Sequence, residues 1–324
     1  MENNPLVSII IPVYNIRPFL AEALDSVIHQ TYTNLEIIVI DDGSTDGSAA
    51  LCDQYAQRDN RFVVLHQENK GPGGARNAGL NSARGKLIAF LDSDDAYDAS
   101  FVESMVTAMI QEDVNIVVCR HSLHKTTSVM GLENCMQTGP AIRPGKYDRD
   151  AVIRALFDGT LNFGVWNKLY AREIWETERF LEGHVFEDVD ITYRIYARNQ
   201  RIFVLDKVLY MYRKRPGSIT TGSLSVKKIE DRMLSQSRSE TFIRDHTPEV
   251  FSVEQLETYQ QKRRDKLVRF YLMLSHFSKD ERKEAEKNFG RKSSRQRRKQ
   301  SHKRIARKHF SSWFVFAPAC WALS

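Results

Sequence analysis

The sequence predicts an α/β fold, a mostly parallel sheet flanked by helices, with a helical C-terminal extension. Two observations carry this reading. Short β-branched runs alternate with stretches of helical apolar spacing through the first hundred residues, the pattern of βαβ units. The apolar fraction, 42% of 324 residues against 27% charged, is that of a globular chain long enough to bury a substantial core.

The elements follow in order. Val7–Ile11 is a β-branched run bounded by Pro12, which reads as a buried strand. Residues Pro18–Gln30 place Leu20, Ala23, Leu24, Val27 and Ile28 on one helical face. Leu35–Ile40 is a second strand, closed by Asp41-Asp42-Gly43-Ser44. Asp46–Gln57 reads as a helix, Phe62–Leu65 as a third strand, and Gly74–Ala83 as a short helix after a glycine-rich turn. Lys86–Leu91 is a fourth strand, closed by Asp92-Ser93-Asp94-Asp95. Ligands of such sheets bind beyond the carboxyl ends of the strands, where the order of the chain switches. Here those ends carry Tyr14-Asn15, Asp41-Asp42 and Asp92-Ser93-Asp94.

Several function classes are excluded. Cys52, Cys119, Cys135 and Cys320 form no C-x-x-C pair, so a zinc knuckle, a redox dithiol and a disulfide-dense scaffold are not expected. The start carries no basic stretch ahead of a long apolar run, and no segment approaches about eighteen uninterrupted apolar residues, so neither a signal peptide nor a spanning helix is expected. The turn Pro12-Val13-Tyr14-Asn15 after the first strand has no glycine, which argues against a dinucleotide fold, and a Walker A motif is missing. Gly71-Pro72-Gly73-Gly74 follows the third strand instead, with Arg76 close behind.

Asp92 and Asp94 carry more information. In an extended segment, residues two apart point to the same side, so these carboxylates converge while Asp95 points elsewhere. Two convergent carboxylates suit a hard divalent ion, Mn²⁺ or Mg²⁺. Aspartates are also common in the turns that follow strands. Asp42 at the neighbouring strand end favours the ligand-binding alternative, because clustered acids repel one another without a cation or a hydrogen-bonding ligand.

The ordered stretches VSIIIPVYN, SVIHQTYTNLEIIVIDDGSTDGS and NKGPGGARNAGLNSARGKLIAFLDSDD resemble family 2 glycosyltransferases, inverting enzymes with the GT-A (Rossmann-like) fold. The resemblance spans roughly residues 5–100 and resumes at Trp166–Leu169 (WNKL) and Phe186–Asp190 (FEDVD). It implies a nucleotide-sugar donor, of UDP type, a divalent metal, and transfer to an acceptor hydroxyl. Pro12, Tyr14 and Asn15 would hold the nucleoside, with Tyr14 against the base. Tyr14 could equally cover the end of the sheet. Asp42 would accept from the uracil N–H, or serve the turn at Gly43. Arg76 would lie near the diphosphate, or form a surface salt bridge. Ser93 would join the donor contacts, and Asp94 would be the main metal ligand, with Asp92 contributing. Asp188 is implied as the base that takes the acceptor proton, with Glu187 binding acceptor or orienting it. The other reading of these acids is service to the helix dipole, which is strongest for Asp190.

Processive members of the family carry Q-x-x-R-W and several spanning helices; neither is present, which implies one sugar per event. Asn162–Leu169 and Leu209–Ile219 resemble segments that flank the acceptor cleft in bacterial polysaccharide enzymes, so a saccharide or lipid-linked saccharide acceptor is expected. A nucleotidyltransferase would share the sheet and the acids but should show a glycine-rich loop after the first strand. A non-catalytic nucleotide-sugar-binding protein is the other alternative.

The sequence divides into an expected catalytic domain over 1–222, comprising nucleotide-sugar binding over 1–100 and an acceptor side over 101–222. A helical extension over 223–290 and a tail over 291–324 complete it. Arg291–Lys308 holds ten Lys and Arg and no acid; of 47 basic residues this leaves 37 against 41 acidic, a net of −4 for the rest. Trp313, Phe314, Phe316 and Trp321 follow, interrupted by Pro318. Basic residues beside aromatics describe an element lying at a membrane surface, the alternatives being a disordered basic tail or a terminal segment packed on the body. The expected location is therefore cytoplasmic, peripheral on the inner face of the plasma membrane. Nucleic acid is not an expected partner, because stacking aromatics are not interleaved with the basic run.

Overall fold

The computed structural model describes residues 4–124, 136–138, 142–198, 201–215, 218 and 226–259. The chain divides into two units, Met1–Val268 and Arg269–Ser324; the second, which includes the basic and aromatic tail, lies outside the described residues.

The first half is built as the sequence predicts. Strands β1 (Val7–Val13), β2 (Leu35–Asp41), β3 (Phe62–His66) and β4 (Leu87–Phe90) run parallel in the order β3-β2-β1-β4. Helices α1 (Arg17–Ile28), α2 (Ser48–Arg58) and α3 (Gly71–Ser82) connect them. The chain steps outward from β1 to β3 and then returns to β1's other side, so the switch point lies between β1 and β4.

β1 does not stop at Pro12 but runs to Val13. The Ile10 carbonyl accepts from Leu91 N–H at 3.1 Å, so alternate positions 10 and 12 face β4. β4 ends at Phe90, opposite Ile10, so the N–H that proline lacks falls beyond the ladder and nothing is lost.

The second half departs from a parallel sheet. Next come β5 (Ala96–Tyr97), α4 (Phe101–Glu112), β6 (Ile116–His124), β7 (Met136–Thr138), β8 (Gly145–Tyr147) and α5 (Arg149–Asp158). They are followed by β9 (Lys168–Ala171), a 3-10 turn at Arg172–Glu176, α6 (Glu187–Ala197), β10 (Ile202–Arg213) and α7 (Val226–His246). β9 inserts antiparallel between β4 and β6, while β10 lies parallel to β6. The WNKL motif therefore leads into a central strand.

Strand alternation sorts the core onto two faces. Ile10, Ile38, Ile40, Ile88, Phe90 and Val118 pack with residues of α3, α5, α6 and α7. Ile9, Ile11, Ile37, Val39, Ala89 and Val117 pack with α1, α2 and α4. Cys52 and Cys119 are buried free thiols.

The glycine-rich stretch is not a turn before α3 but its first turn, with Gly71 at φ +77° and Pro72 at the start. Packing overrides the low helix propensity of glycine here. A Cβ on Gly73 would stand 2.5 Å from the Leu181 carbonyl oxygen, and one on Gly79 would overlap Ile10 and lie 2.9 Å from Ile40. Gly79→Ala is therefore expected to destabilise the fold by about 1–3 kcal/mol, the cost of overpacking a filled core. An unchanged urea midpoint would show that α3 does not sit this close to the sheet.

Candidate active site

The carboxyl ends of β1, β2 and β4 open on a cavity of about 580 Å³. Pro12, Tyr14, Asn15 and Asp42 line it from the ends of β1 and β2, Arg76 from α3, Asp92, Ser93 and Asp94 from the turn after β4, Trp166 from the loop before β9, Glu187 and Asp188 from the start of α6, and Tyr212 and Arg215 from the end of β10 and the residues after it. Every site residue read from the sequence thus lines one cavity.

The loops after β1 and β2 brace each other. Asn15 N–H donates to Ser44 Oγ at 3.1 Å, Ile16 N–H to Ser48 Oγ at 3.1 Å, and Arg17 N–H to Asp46 Oδ2 at 2.9 Å. Thr45 N–H returns a bond to Asn15 Oδ1 at 2.8 Å. These bonds cap α1 from across the cleft and fix Asn15 in the left-handed region at φ +47°. Tyr14, 53% exposed, is held with its ring at the cavity rim. The two acids after β2 divide their work. Asp41 Oδ1 accepts from Ser44 N–H at 3.1 Å and forms the turn. Buried Asp42 faces the cavity, its Oδ1 accepting from Gln67 Nε2 at 2.6 Å and Lys70 N–H at 2.9 Å.

Asp92 and Asp94 share the cavity, but not through an extended segment. Asp95 N–H donates to the Asp92 carbonyl at 2.9 Å, closing a tight turn. Asp95 is turned into the core, where Tyr210 Oη donates to its Oδ2 at 2.6 Å and Arg213 N–H to its Oδ1 at 2.7 Å. It joins the turn to β10. Burial, with Asp92 beside it, raises the carboxyl of Asp94, and Arg215 Nε, donating to Asp94 Oδ2 at 2.7 Å, opposes this.

Arg76 is not the surface ion pair that was one alternative. It is 5% exposed and donates to Asp92 Oδ1 at 2.7 Å and to Glu187 Oε1. Its guanidinium lies 5.5 Å from the centre of the Phe180 ring. Burial pushes the Glu187 carboxyl up to about 7 against the pull of Arg76, with Asp188 adding to the rise. Asp188 is also raised, by burial first, while Arg232 and Arg76 pull it back. Glu187 is thus held by Arg76 rather than turned to the cavity alone. Asp190 is fully buried and accepts from Arg238 Nε at 2.5 Å, with Arg194 Nη2 at 3.1 Å, so it ties α6 to α7.

Trp166 forms an aromatic ledge with Tyr210 and Tyr212, at ring distances of 4.4 and 5.4 Å. Below it, buried Lys168 donates to Asn162 Oδ1 at 2.8 Å, Asn167 Oδ1 at 3.0 Å and the Gly164 carbonyl, which fixes the loop that presents Trp166. Burial brings the Lys168 amine down to about 7. Arg213, Arg215 and Arg232 are absent from the sequence reading, whereas Asp95 points away from the other two acids as expected there. The dense basic run Tyr212–Arg215, in a segment already singled out, is the signal that marks the first two; nothing local marks Arg232.

The glycosyl transferase family 2 model matches residues 8–137. The glycosyltransferase GlyG of Streptococcus pneumoniae is 32% identical over 66% of this chain and 72% of its own length. GlyA of the same organism is 32% identical over 66% of this chain, which spans only 31% of that longer protein. The B. subtilis glycosyltransferase EpsJ is 34% identical over 67% of this chain and 63% of its length. Among solved structures, S. aureus TarS in complex with UDP-GlcNAc aligns at TM-score 0.61 and 20% identity, over 82% of this chain and 78% of that one. The mannosyltransferase PcManGT from Pyrobaculum calidifontis, in complex with GDP-Man and Mn²⁺, aligns at TM-score 0.57 and 18% identity, over 97% and 84%. The fold is GT-A, and the chain belongs to glycosyltransferase family 2.

Proposed function

We propose that this glycosyltransferase moves one sugar per event, with inversion, from a UDP-sugar to an acceptor hydroxyl, on a saccharide or lipid-linked saccharide of a bacterial surface polysaccharide. One observation carries the reading. A single cavity is lined by an exposed ring, an acid after β2, paired carboxylates after β4, the acids that open α6 and an aromatic ledge. These are groups that the base, diphosphate, sugar and acceptor of an extended substrate would use. The complexes of TarS with UDP-GlcNAc and of PcManGT with GDP-Man support a nucleotide-sugar donor.

Tyr14 offers a π-face to a planar base, and Asp42 an acceptor oxygen to its N–H. The paired oxygen donors of Asp92 and Asp94 fit Mn²⁺ or Mg²⁺. Among the described residues no group of three or more His, Cys, Asp or Glu is placed to hold a metal, so an ion at this pair would need its other ligands from phosphates and water. Such an ion would supply neutralisation of the charge that grows on the leaving diphosphate. Asp188 takes the proton of the attacking hydroxyl, and its burial raises its basicity for that role. Trp166 and Tyr212 offer apolar faces to an acceptor ring. A panel of UDP-, GDP- and dTDP-sugars with and without Mn²⁺ tests the whole. Turnover confined to UDP-sugars and dependent on metal is expected; turnover of another base alone would overturn the uridine assignment.

Asp94→Asn should weaken Mn²⁺-dependent UDP binding by at least about tenfold in calorimetric titration, since even indirect support of a metal is worth that much. Unchanged binding would remove Asp94 from the metal site. Asp188→Asn should lower kcat by roughly 10²–10⁴-fold with donor affinity nearly constant. Full activity would leave Asp188 only its place in the first turn of α6.

The tail over 291–324 would hold the enzyme at an anionic membrane. Its ten cations contribute about 1 kcal/mol each at most, less with salt. Deletion of 291–324 should release the protein from anionic vesicles in co-sedimentation, while high salt weakens binding of the full chain. Equal sedimentation of the two proteins would contradict the membrane role.

A further inference from the structure

The end of β3 holds both acids that follow β2. The ladder between the two strands runs on by one bond, from Gln67 N–H to the Asp41 carbonyl at 3.0 Å. Two neighbouring side chains then take one acid each. His66 Nδ1 lies 3.0 Å from Asp41 Oδ2, and Gln67 Nε2 donates to Asp42 Oδ1 at 2.6 Å. Asp42 is also fixed through its backbone, since its N–H donates to the Val13 carbonyl of β1 at 2.8 Å. The turn after it comes close to the segment after β3. Gly43 permits this: it sits at φ +78°, and a Cβ there would stand 3.2 Å from Asn69 N.

The two oxygens of Asp42 differ. Oδ1 accepts from Gln67 Nε2 at 2.6 Å and from Lys70 N–H at 2.9 Å, which occupies both of its lone pairs. A carboxylate is planar, so two donors on one oxygen set the direction of the other. Oδ2 is the oxygen left for a molecule in the cavity that Asp42 lines. Gln67 is not itself a lining residue, so it acts through Asp42. Its amide works in one orientation, because the Gln67 oxygen against a carboxylate would set two acceptors face to face.

We propose that Gln67 is the positioning residue that sets the choice of base in the nucleotide donor. It holds Asp42 with Oδ2 presented as a fixed acceptor. Uracil carries an N–H at N3, in the middle of its pairing edge, and can meet that oxygen. Cytosine has a bare nitrogen at the same place, so lone pair would face lone pair. A site built to pair with one edge rejects the other, because a polar group of the site is left without its partner. This rests on Asp42 meeting the base. Lys70 N–H alone would let the carboxylate turn about its last torsion, which is soft, so the second donor is what makes the acceptor selective.

The test compares UDP with CDP, which share ribose and diphosphate and differ in the base edge. Both are titrated calorimetrically into the full chain with Mn²⁺. The wild type is expected to favour UDP. Gln67→Leu removes the donor, and Gln67→Glu replaces it with a second acceptor. In both, the ratio of UDP to CDP affinity should narrow by about fivefold, the coupling expected between neighbours in one hydrogen-bond network. His66→Asn loosens the neighbouring acid, Asp41, and should weaken both nucleotides alike, leaving the ratio as it is. A wild-type ratio in both Gln67 variants would overturn the assignment, as would an equal loss of the two nucleotides, which is what a merely structural role produces. Asp42→Asn separates the two claims, since its amide can offer either an acceptor or a donor. If Asp42→Asn keeps the wild-type preference, or the wild type binds both nucleotides equally, Asp42 does not meet the base and that reading fails. If Asp42→Asn loses the preference while the Gln67 variants keep it, that reading stands and Gln67 has no part in it.

Discussion

A guanidinium buried between two carboxylates holds the site together. Arg76 rises from α3, donates to Asp92 after β4 and to Glu187 at the start of α6, and is nearly sealed from water. The two partners lie 16 and 111 residues away in the chain. Breaking one side of such a buried group is costly, about 3–5 kcal/mol, because a charge is left without compensation. The geometry has few alternatives. α3 must lie close to the loop around Leu181, which requires Gly73, and close to β1 and β2, which requires Gly79. Gly73 of the glycine-rich stretch, wrongly placed in the sequence for a pyrophosphate cradle, serves this approach.

The same economy runs through the rest of the cavity. Asp92 is balanced by Arg76 and Asp94 by Arg215, and behind the cavity buried Asp190 is balanced by Arg194 and Arg238. Acids crowded at the ends of three strands would otherwise repel one another. Arg76 comes from α3, but Arg215 comes from the residues after β10, so the second half of the chain balances one of the acids of the first hundred residues. Asp95 belongs to this joinery and not to the cavity: through Tyr210 and Arg213 it fastens the acid turn to β10.

The parallel half of the sheet was legible because its strands are buried on both faces. Ile9, Ile10 and Ile11 are all fully covered, so their run is continuously apolar and unmistakable. The acids at the strand ends could be read for the same reason: an abrupt change from β-branched to charged residues marks the end of the sheet. Other features have no local signature. β9 is four residues long and takes its direction from its neighbours β4 and β6. The turn at Asp92–Asp95 defeats a period-two argument, since its hydrogen bond reverses the chain. Arg232 and Arg238 sit in a helix whose polar spacing is that of a solvated surface, and only the contact between α6 and α7 gives them a purpose. Arg76, expected either at a diphosphate or on the surface, is fixed by partners that no local pattern could supply.

The central claim, that donor and metal occupy the cavity between Tyr14 and Asp94, is tested most directly by a crystal structure with UDP and Mn²⁺, with anomalous scattering to locate the ion. The expected result is an anomalous peak bonded to an Asp94 oxygen, with the uracil against the Tyr14 ring and its N–H on Asp42. A peak elsewhere, or a nucleotide that leaves Tyr14 and Asp42 untouched, would contradict it.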